Sequence, residues 1–498
     1  MQYDATGYLA LIQKYNLQVI PNHHYSYVYK ENQTHKKSLH NSITQEIFPA
    51  KYKPKSDDIS QLEFALKYDG INLAILYNLF LVIDKNELIS YIKSKPTGKY
   101  ARILWFLYEF LIDELLPLDD LTQGNYIDLL DTKQYYTLQK PRYIKRQRVK
   151  NNLLGTKEFC PIVRKTKILE QMLSENLAKI SQDLLVDYPA IVLKRVLSYL
   201  YTKETKSSFS IEHQNPNQTK IQRFISLLQE AQKEDFCTKN RLIELQNRIV
   251  DNRFANNDYR ANQNYVAQSI SLEREKIYYI SPKPQDIEEL MRGLIDTHNK
   301  MMQDNIHPII HAAIISYGFV YLHPFEDGNG RIHRFLIHNI LAIKNYTPKN
   351  MVFPVSAVML NEMIRYDDSL EEFSSSLIPL VEYELDQYGY MKVKNDTKQW
   401  YQYIDMTTQC ESLYYFVKKT IDSQLPNELQ FITSYDSAKN QIANIVDMPD
   451  RLIDLAIKFI LQNGGKLSKN KKEHYFDMLH SDEIKEIENA VNLAFDKS

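Results

Sequence analysis

Glycine is scarce in this chain, and its scarcity limits the folds that the sequence can form. Only 12 of the 498 residues are glycine, about 2% where ~7% is usual in soluble proteins. Because glycine is a poor helix former, a glycine-poor chain suits a mainly helical protein. Stretches with an apolar residue at every third or fourth position support the same prediction, and they cover residues 62–81, 100–115, 168–185, 221–233, 287–303, 308–322, 332–344 and 451–462.

Cysteine is equally scarce, with three residues far apart in sequence, Cys160, Cys237 and Cys410. This spacing offers neither a disulfide framework nor a zinc site, which is typical of a reducing compartment. The N-terminal segment lacks a basic stretch followed by a long apolar one, and no run of about 18 apolar residues occurs in the chain. We therefore expect a cytoplasmic protein without a signal peptide or a membrane span.

Net charge is nearly absent, since 61 basic residues are matched by 62 acidic ones. A protein with this balance has no bulk charge with which to coat nucleic acid or an anionic membrane. We therefore expect neither of these partners.

The length of 498 residues exceeds one ordinary core and predicts two to four domains. Polar or proline-bearing breaks occur at 212–220, 256–264 and 387–399. They suggest an N-terminal, mostly helical region (1–200), a central helical domain (201–395) and a C-terminal helical region (396–498).

One patch departs from the helical pattern. Residues 265–271 (YVAQSIS) and 276–280 (KIYYI) are rich in β-branched and aromatic residues, and the charged segment LERE separates them. This arrangement predicts a short β-hairpin. Pro282 and Pro284 then close the hairpin before the next helix begins.

The densest group of chemically active side chains lies at 323–334 (HPFEDGNGRIHR). An apolar helix leads into His323, and the proline that follows cannot continue it. Gly328 and Gly330, on either side of Asn329, allow the backbone to turn its N–H groups toward a ligand at the start of the next helix, where the helix dipole favours anions. The segment therefore predicts an anion-binding loop between two helices.

Charged side chains around this loop suit phosphate chemistry. Arg331 and Arg334 are three residues apart and share a helix face, so both can reach a bound anion. Asp327 supplies one carboxylate, which suits a hard divalent cation held against phosphate oxygens. His323, at the mouth of the loop, can take a proton from an attacking hydroxyl. Together these residues predict a site that transfers a phosphate-bearing group.

The segment resembles the signature of the Fic (Fic/Doc) family, His-x-Phe-x-(Asp/Glu)-Gly-Asn-Gly-Arg-x-x-Arg, and it meets that signature at every specified position. The resemblance covers about residues 203–396 and implies a Fic-type helical core. It also implies a protein adenylyltransferase, an enzyme that moves AMP from ATP to a Ser, Thr or Tyr hydroxyl of a target protein, with ATP and Mg²⁺ as cofactors. The roles implied for the matching residues are general base for His323, loop anchor for Phe325, Mg²⁺ ligand for Asp327, phosphate cradle for Gly328, Asn329 and Gly330, and outer-phosphate binding for Arg331 and Arg334.

The same resemblance gives roles to two flanking segments. The predicted hairpin, residues 265–280, lies where Fic proteins carry a flap, so a protein substrate would dock there by pairing its backbone with the hairpin edge. Self-modification is an alternative to a separate target. Residues 353–370 resemble the helix that helps to form the adenine pocket, where Asn361 and Tyr366 are the candidate residues.

An inhibitory segment is implied as well. Residues 207–213 read SSFSIEH, and Ser208 and Glu212 are four residues apart on one helix face. Many Fic proteins carry an inhibitory helix with the pattern (Ser/Thr)-x-x-x-Glu-(Gly/Asn), which these two residues match, whereas His213 stands in the last position. By this resemblance, Glu212 would pair with Arg334 and deny that arginine to the γ-phosphate of ATP.

Other functions remain open at this point. The same site could remove AMP from a modified target, or it could hold a nucleotide as a regulatory ligand in a toxin–antitoxin-like or DNA-regulatory assembly. A metal-dependent phosphohydrolase is a further alternative, with the candidate ligands His307, His311, His323 and Asp327.

Overall fold

A computed structural model describes residues 2–31, 33–40, 43–186, 188–271 and 274–496. The chain forms two compact units, and each is assembled from separate stretches of sequence. The first comprises Met1–Glu175, Gln222–Lys344 and Glu362–Tyr414, and the second comprises Asn176–Ile221, Asn345–Asn361 and Tyr415–Ser498. The domain boundaries expected near residues 200 and 395 stay predictions.

Helices dominate the chain, and the predicted mainly α fold class is confirmed: 57% of the residues are helical. The α-helices are α1 (Tyr8–Tyr15), α2 (Asp58–Tyr68), α3 (Leu73–Val82), α4 (Lys85–Ser94), α5 (Lys99–Ile112), α6 (Lys167–Ser174), α7 (Leu177–Val186), α8 (Ala190–Ile211), α9 (Gln218–Glu230), α10 (Lys239–Ile249), α11 (Pro284–Met302), α12 (Pro308–Leu322), α13 (Asn329–Ile343), α14 (Val355–Asn361), α15 (Met363–Leu377), α16 (Lys398–Gln402), α17 (Thr407–Lys419), α18 (Leu425–Ile445), α19 (Asp450–Gln462), α20 (Lys469–Tyr475) and α21 (Ser481–Asp496). Among the described residues, no helix has the length and apolar character needed to cross a membrane.

The strands are short and form four small sheets in the described residues. They are β1 (Tyr3–Thr6), β2 (His24–Tyr29), β3 (Lys36–His40), β4 (Ile43–Phe48), β5 (Ile127–Asp128), β6 (Arg142–Ile144), β7 (Val149–Asn151), β8 (Tyr265–Ser271), β9 (Arg274–Ile280), β10 (Tyr383–Leu385) and β11 (Met391–Val393). The sheet orders are β1-β2-β4-β3, β5-β7-β6, β8-β9 and β10-β11.

The sequence does not predict the four-stranded sheet at the start of the first unit. In it β2 runs antiparallel to β1 and parallel to β4, and β3 pairs with the other edge of β4. All five residues of β3 are exposed, so this strand lacks the apolar alternation by which half-buried strands are recognised. The N-terminal region is therefore less uniformly helical than the sequence indicates.

The apolar stretch at 62–81 forms two helices rather than one. The first, α2, ends at Tyr68, and Gly70 then takes a left-handed conformation with φ 84°. The side chain of Asn72 accepts a hydrogen bond from the backbone N–H of Ile75 and so caps the start of α3. A glycine and a capping residue therefore divide the stretch.

The predicted β-hairpin is confirmed. Strands β8 and β9 are antiparallel, with Tyr265 opposite Ile280, and the pairing contains two register irregularities. Residues 272 and 273, within the predicted turn, lie outside the described residues. Pro284 begins α11, a position where a proline removes no helical hydrogen bond.

The core of the first unit behind the hairpin is built on α12. This helix packs against α11 and α13, and all but two of its 15 residues are buried. A helix that is apolar on every face belongs in the centre of a domain. Its C-terminal end therefore leads directly from the core into the 323–334 segment.

The second unit joins α8 and α14 to the C-terminal helices. Glu204 of α8 is fully buried, and its carboxylate accepts hydrogen bonds from the backbone N–H of Ser356, at 2.8 Å, and from the Ser356 hydroxyl. A carboxylate at the first turn of α14 also complements the helix dipole. Ile442, Ile457 and Val491, from α18, α19 and α21, form part of a separate apolar cluster.

Candidate active site

His323 lies at the point where α12 ends. It has φ 49° and ψ 56°, and its backbone N–H still donates to the carbonyl of Phe319 at 2.9 Å. Left-handed geometry costs a residue with a side chain about 1–2 kcal/mol. The imidazole is partly exposed, and its Nδ1 lies 3.1 Å from the carbonyl oxygen of Val320. A carbonyl can only accept, so Nδ1 carries the hydrogen and Nε2 is the nitrogen that can take a proton.

The loop after His323 is anchored from within. Phe325 is fully buried, and the Asn329 side chain is bonded to its backbone twice: Oδ1 accepts from the Phe325 N–H at 3.1 Å, and Nδ2 donates to the Phe325 carbonyl at 2.7 Å. The Asn329 amide therefore closes the loop. Its backbone N–H lies in the first turn of α13, where the sequence predicts the phosphate cradle.

Gly328 caps the N-terminus of α13. Its φ is 93°, and a Cβ at this position would lie 3.0 Å from Cγ1 of Val250. The cap has no side chain to accept the first N–H groups of α13, and such groups have no partner within a helix. Gly330, in the first turn, is partly exposed. The arrangement fits an anion at this helix end.

Asp327 is half exposed, and its two carboxylate oxygens differ. Oδ1 accepts from the backbone N–H of Gly328 at 2.6 Å and from Nη2 of Arg331 at 2.8 Å. Oδ2 accepts no hydrogen bond from the described part of the chain. No group of three His, Cys, Asp or Glu side chains in that part could hold a metal by itself. One carboxylate fits Mg²⁺ when phosphates and water supply the other ligands.

The two arginines of the motif have different surroundings. Arg331 is buried, and besides Asp327 its guanidinium donates to the carbonyl of Ile249 at 3.4 Å. Arg334 is also buried, and its Nη1 lies 3.4 Å from the hydroxyl of Tyr366. Tyr366 in turn stacks on His333, with ring centroids 6.2 Å apart. The structure thus brings Tyr366, a candidate for the adenine pocket, to Arg334.

Three further candidates lie in the second compact unit. Asn361 is the exposed last residue of α14, Ser208 is buried in α8, and Glu212 is the C-cap of α8. Their predicted roles stay predictions. His213, which replaces the usual glycine or asparagine, adopts φ 54°, and Gln214 N–H donates to the Phe209 carbonyl at 3.0 Å. The helix end therefore keeps the left-handed turn that glycine normally provides.

The phosphohydrolase alternative is wrong in its geometry. His307 is the N-cap of α12 and His323 the C-cap, so a 15-residue helix, about 22 Å long at 1.5 Å per residue, separates them. His311 is fully buried, and its Nε2 lies 3.0 Å from Nδ1 of His298. These histidines do not meet at Asp327.

The base of the hairpin is attached to the motif loop by residues that the sequence did not single out. Arg260 is buried, and its Nε donates to the carbonyl of His323 at 2.8 Å. Nδ2 of Asn264 lies 3.4 Å from the carbonyl of Phe325, and the Tyr279 hydroxyl donates to the carbonyl of Tyr321. All three contacts join residues more than 40 positions apart, which no local pattern reveals.

Comparisons with known proteins agree with the motif. A model of the Fic/DOC family matches residues 236–341. The protein adenylyltransferase Fic of Drosophila willistoni is 31% identical over 120 residues, which are 24% of this chain and 22% of that protein. Its counterpart in Nematostella vectensis is 31% identical over 119 residues, 24% of this chain and 26% of that protein. Residues 236–341 are therefore similar to the Fic/DOC family, and the chain spans about a quarter of the length of these relatives.

Two solved structures of Fic proteins align with this chain. A Fic family protein from Desulfovibrio desulfuricans G20 aligns with a TM-score of 0.40 and 16% sequence identity, over 63% of this chain and 85% of that one. A Fic domain-containing signaling protein from Bacteroides thetaiotaomicron aligns with a TM-score of 0.38 and 16% identity, over 53% of this chain and 97% of that one.

Proposed function

We propose that this protein is a protein adenylyltransferase that moves AMP from Mg-ATP to a hydroxyl side chain of a target protein. Relatives of about 30% identity carry that name, and the complete signature lies in the Fic domain. The single observation that carries the proposal is the orientation of His323, whose Nδ1 lies 3.1 Å from the Val320 carbonyl. This contact leaves Nε2 as the basic nitrogen next to the anion-binding helix end.

In the proposed reaction, Nε2 of His323 takes the proton of the target hydroxyl. The hydroxyl oxygen then forms a bond to the α-phosphorus of ATP, and the bond from that phosphorus to the leaving pyrophosphate breaks. The first-turn N–H groups of α13, at Asn329 and Gly330, bind phosphate oxygens and hold the α-phosphorus in reach. A positioned general base contributes about 10²- to 10⁴-fold to such a reaction.

Asp327 is the residue that would hold Mg²⁺ against the phosphates, through Oδ2, which accepts no hydrogen bond from the described residues. The ion would neutralise charge on the departing pyrophosphate. Arg334 would contribute positive charge to the outer phosphates, with the Tyr366 hydroxyl 3.4 Å away limiting its orientation.

Two further parts of the proposal concern control and docking. Glu212 acts as a brake on the site, as its match to the inhibitory pattern suggests. The hairpin β8–β9 docks the target protein, or a segment of this same chain, by adding a strand at its edge. The cytoplasmic location expected from the sequence stays a prediction.

The test is an incubation of the full chain with ATP labelled at the α-phosphate, Mg²⁺ and candidate target proteins. We expect label in protein, and His323→Ala should reduce it about 10²- to 10⁴-fold while leaving the affinity for ATP unchanged. The matched control is His480→Ala, which removes an exposed imidazole far along the chain. Free AMP without labelled protein would indicate hydrolysis, and nucleotide binding without turnover would indicate a regulatory module; either result would refute the proposal.

A further inference from the structure

Arg260 joins three segments of the first unit through backbone carbonyls. Its Nε donates to His323 at 2.8 Å, its Nη1 to Asn262 at 2.6 Å and its Nη2 to Pro282 at 2.6 Å. Its own backbone N–H donates to the carbonyl of Pro324 at 2.8 Å. One residue therefore holds both ends of the hairpin, at Asn262 and Pro282, and two consecutive carbonyls of the loop that carries His323.

A charge in this position is unusual. The Arg260 side chain is only 4% exposed, and in the described part of the chain its hydrogen bonds go to carbonyls and none to a carboxylate. Burial lowers the pKa of Arg260 to about 10, so the guanidinium stays charged at neutral pH. The carboxylate of Glu326 favours the charged form, but the cost of burying the charge is larger.

The hydrogen bond from Arg260 to the His323 carbonyl lies at a strained position of the backbone. His323 holds a left-handed conformation that costs free energy, and strained backbone persists when surrounding contacts fix it. The planar guanidinium presents donors in fixed directions, so it can fix the spacing between the His323 carbonyl and the two hairpin ends. A lysine has the charge but not this geometry.

We propose that Arg260 is a positioning residue that fixes the catalytic loop relative to the hairpin, so that a hydroxyl docked on the hairpin meets Nε2 of His323. The inference rests on the proposed function for its effect on transfer. The effect of Arg260 on the backbone is independent of the proposed function, because it can be measured without any substrate.

The experiment compares Arg260→Lys with a matched control, Arg102→Lys. Arg102 is likewise buried, at 5% exposure, and its Nη1 donates to the backbone carbonyls of Asn125 and Arg148 at 2.7 and 3.3 Å. Arg102 contacts neither the loop nor the hairpin. Both substitutions keep the positive charge and remove the planar guanidinium. Any general effect of replacing a buried arginine by lysine is therefore common to both variants.

Two measurements are made on the full-length variants. Amide hydrogen exchange should be faster in Arg260→Lys than in wild type at two segments together. The first comprises residues 260–264 and 281, and the second comprises residues 323, 325 and 326. The turnover of labelled ATP into protein should fall about 10- to 100-fold, as expected for a small misplacement of reacting groups, while ATP affinity changes less than about twofold. Arg102→Lys should show neither change.

The outcomes separate the two proposals. If Arg260→Lys leaves exchange unchanged at both segments, or loosens only one of them, the positioning role is refuted whether or not transfer occurs. If exchange rises at both segments but turnover matches wild type, Arg260 is structural and the inference fails. If wild type transfers no label with any target, the proposed function fails, and the exchange data alone decide whether Arg260 fixes the loop to the hairpin.

Discussion

Two histidines in this chain adopt a left-handed backbone conformation that favours glycine. They differ in whether the side chain has a proposed role. His323 has φ 49° and His213 has φ 54°, and each directly follows or caps the end of a helix. At His323 the imidazole is needed where the backbone turns, so glycine cannot replace it without removing the proposed base. At His213 the turn alone matches the family pattern, and the side chain is exposed.

Gly328 shows the opposite case, in which a side chain cannot be accepted. Gly328→Ala would combine left-handed strain with a Cβ 3.0 Å from Val250, whereas Gly464→Ala would meet the strain alone, since no atom lies within 4 Å of its added Cβ. We expect the first change to lower the free energy of unfolding by about 1–3 kcal/mol more than the second. Urea denaturation of both variants measures this, and equal losses would show that Val250 moves aside freely.

At the scale of single elements, the hairpin is where target recognition can be tested. Val266 of β8 pairs with Tyr279 of β9, and its side chain is 43% exposed. Val266→Pro removes a backbone N–H and fixes φ, which disturbs strand pairing, so label transfer to targets should fall at least ~10-fold. The affinity for ATP should be unchanged, because the proposed phosphate site lies on α13.

The control for this change is Val266→Ala, which removes the exposed side chain but keeps the backbone N–H. It should modify targets nearly as wild type does, because backbone pairing carries strand addition. Normal target modification by Val266→Pro would mean that the hairpin is structural and that targets dock elsewhere.

Elements whose signal is local can be predicted from the sequence. The hairpin at 265–280 and the helix that begins at Asn329 are encoded by neighbouring residues, namely two β-branched runs and a glycine-rich turn. The four-stranded sheet could not be predicted from the sequence, because its edge strand, β3, is entirely exposed and has no alternation of apolar and polar residues. Its pairing with β4, the next strand in the sequence, defines this strand, and no apolar pattern of its own does.

The structure shows contacts of the candidate site residues that the sequence does not predict. Asn329 closes the loop through Phe325, and Arg331 is held by Asp327 and the Ile249 carbonyl, so both have structural duties beyond the phosphate roles implied by the motif. Arg260 was missed because its acceptor at His323 lies 63 residues away. The spacing of residues predicts which of them lie on the same face of a helix or strand. It does not predict a hydrogen bond to a carbonyl that is distant in sequence.

At the scale of the whole molecule, buried histidines should make stability depend on pH. Burial lowers the pKa of His307 to about 4 and that of His311 well below its ordinary value. The unfolded chain binds protons at these positions below about pH 6.5, whereas the folded chain does not until lower pH. The free energy of unfolding should therefore fall as pH drops from about 6.5 to 4, by less than about 1.4 kcal/mol per pH unit for each histidine.

A single substitution isolates one of these contributions. The Nδ1 of His307 accepts the N–H of Ile309 at 3.3 Å and so caps α12, and asparagine is an equally good N-cap that does not titrate. His307→Asn should therefore flatten the pH dependence measured by urea denaturation at pH 7.5, 6 and 5. An unchanged dependence would show that His307 does not contribute to it.

The proposed brake is tested on the whole chain, because Glu212 and Arg334 belong to different compact units. If Glu212 restrains Arg334 as the resemblance implies, Glu212→Gly should raise label transfer well above wild type. A charge-assisted hydrogen bond contributes about 1.5–3 kcal/mol, which corresponds to roughly 10- to 100-fold in the population of the active state. Glu212→Gln, which keeps a polar side chain without the charge, should give a smaller gain.

The decisive step is the double variant. Arg334→Ala should lower transfer alone, and in combination it should cancel the gain from Glu212→Gly, because residues that act through one contact are not additive. Glu230→Gly serves as the control, since Glu230 is a glutamate of the first unit paired with Arg248 and should give no gain. A gain from Glu212→Gly that persists without the Arg334 side chain would mean that the glutamate restrains the site through another group. If Glu212→Gly transfers label only at the wild-type level, the brake is not part of the function.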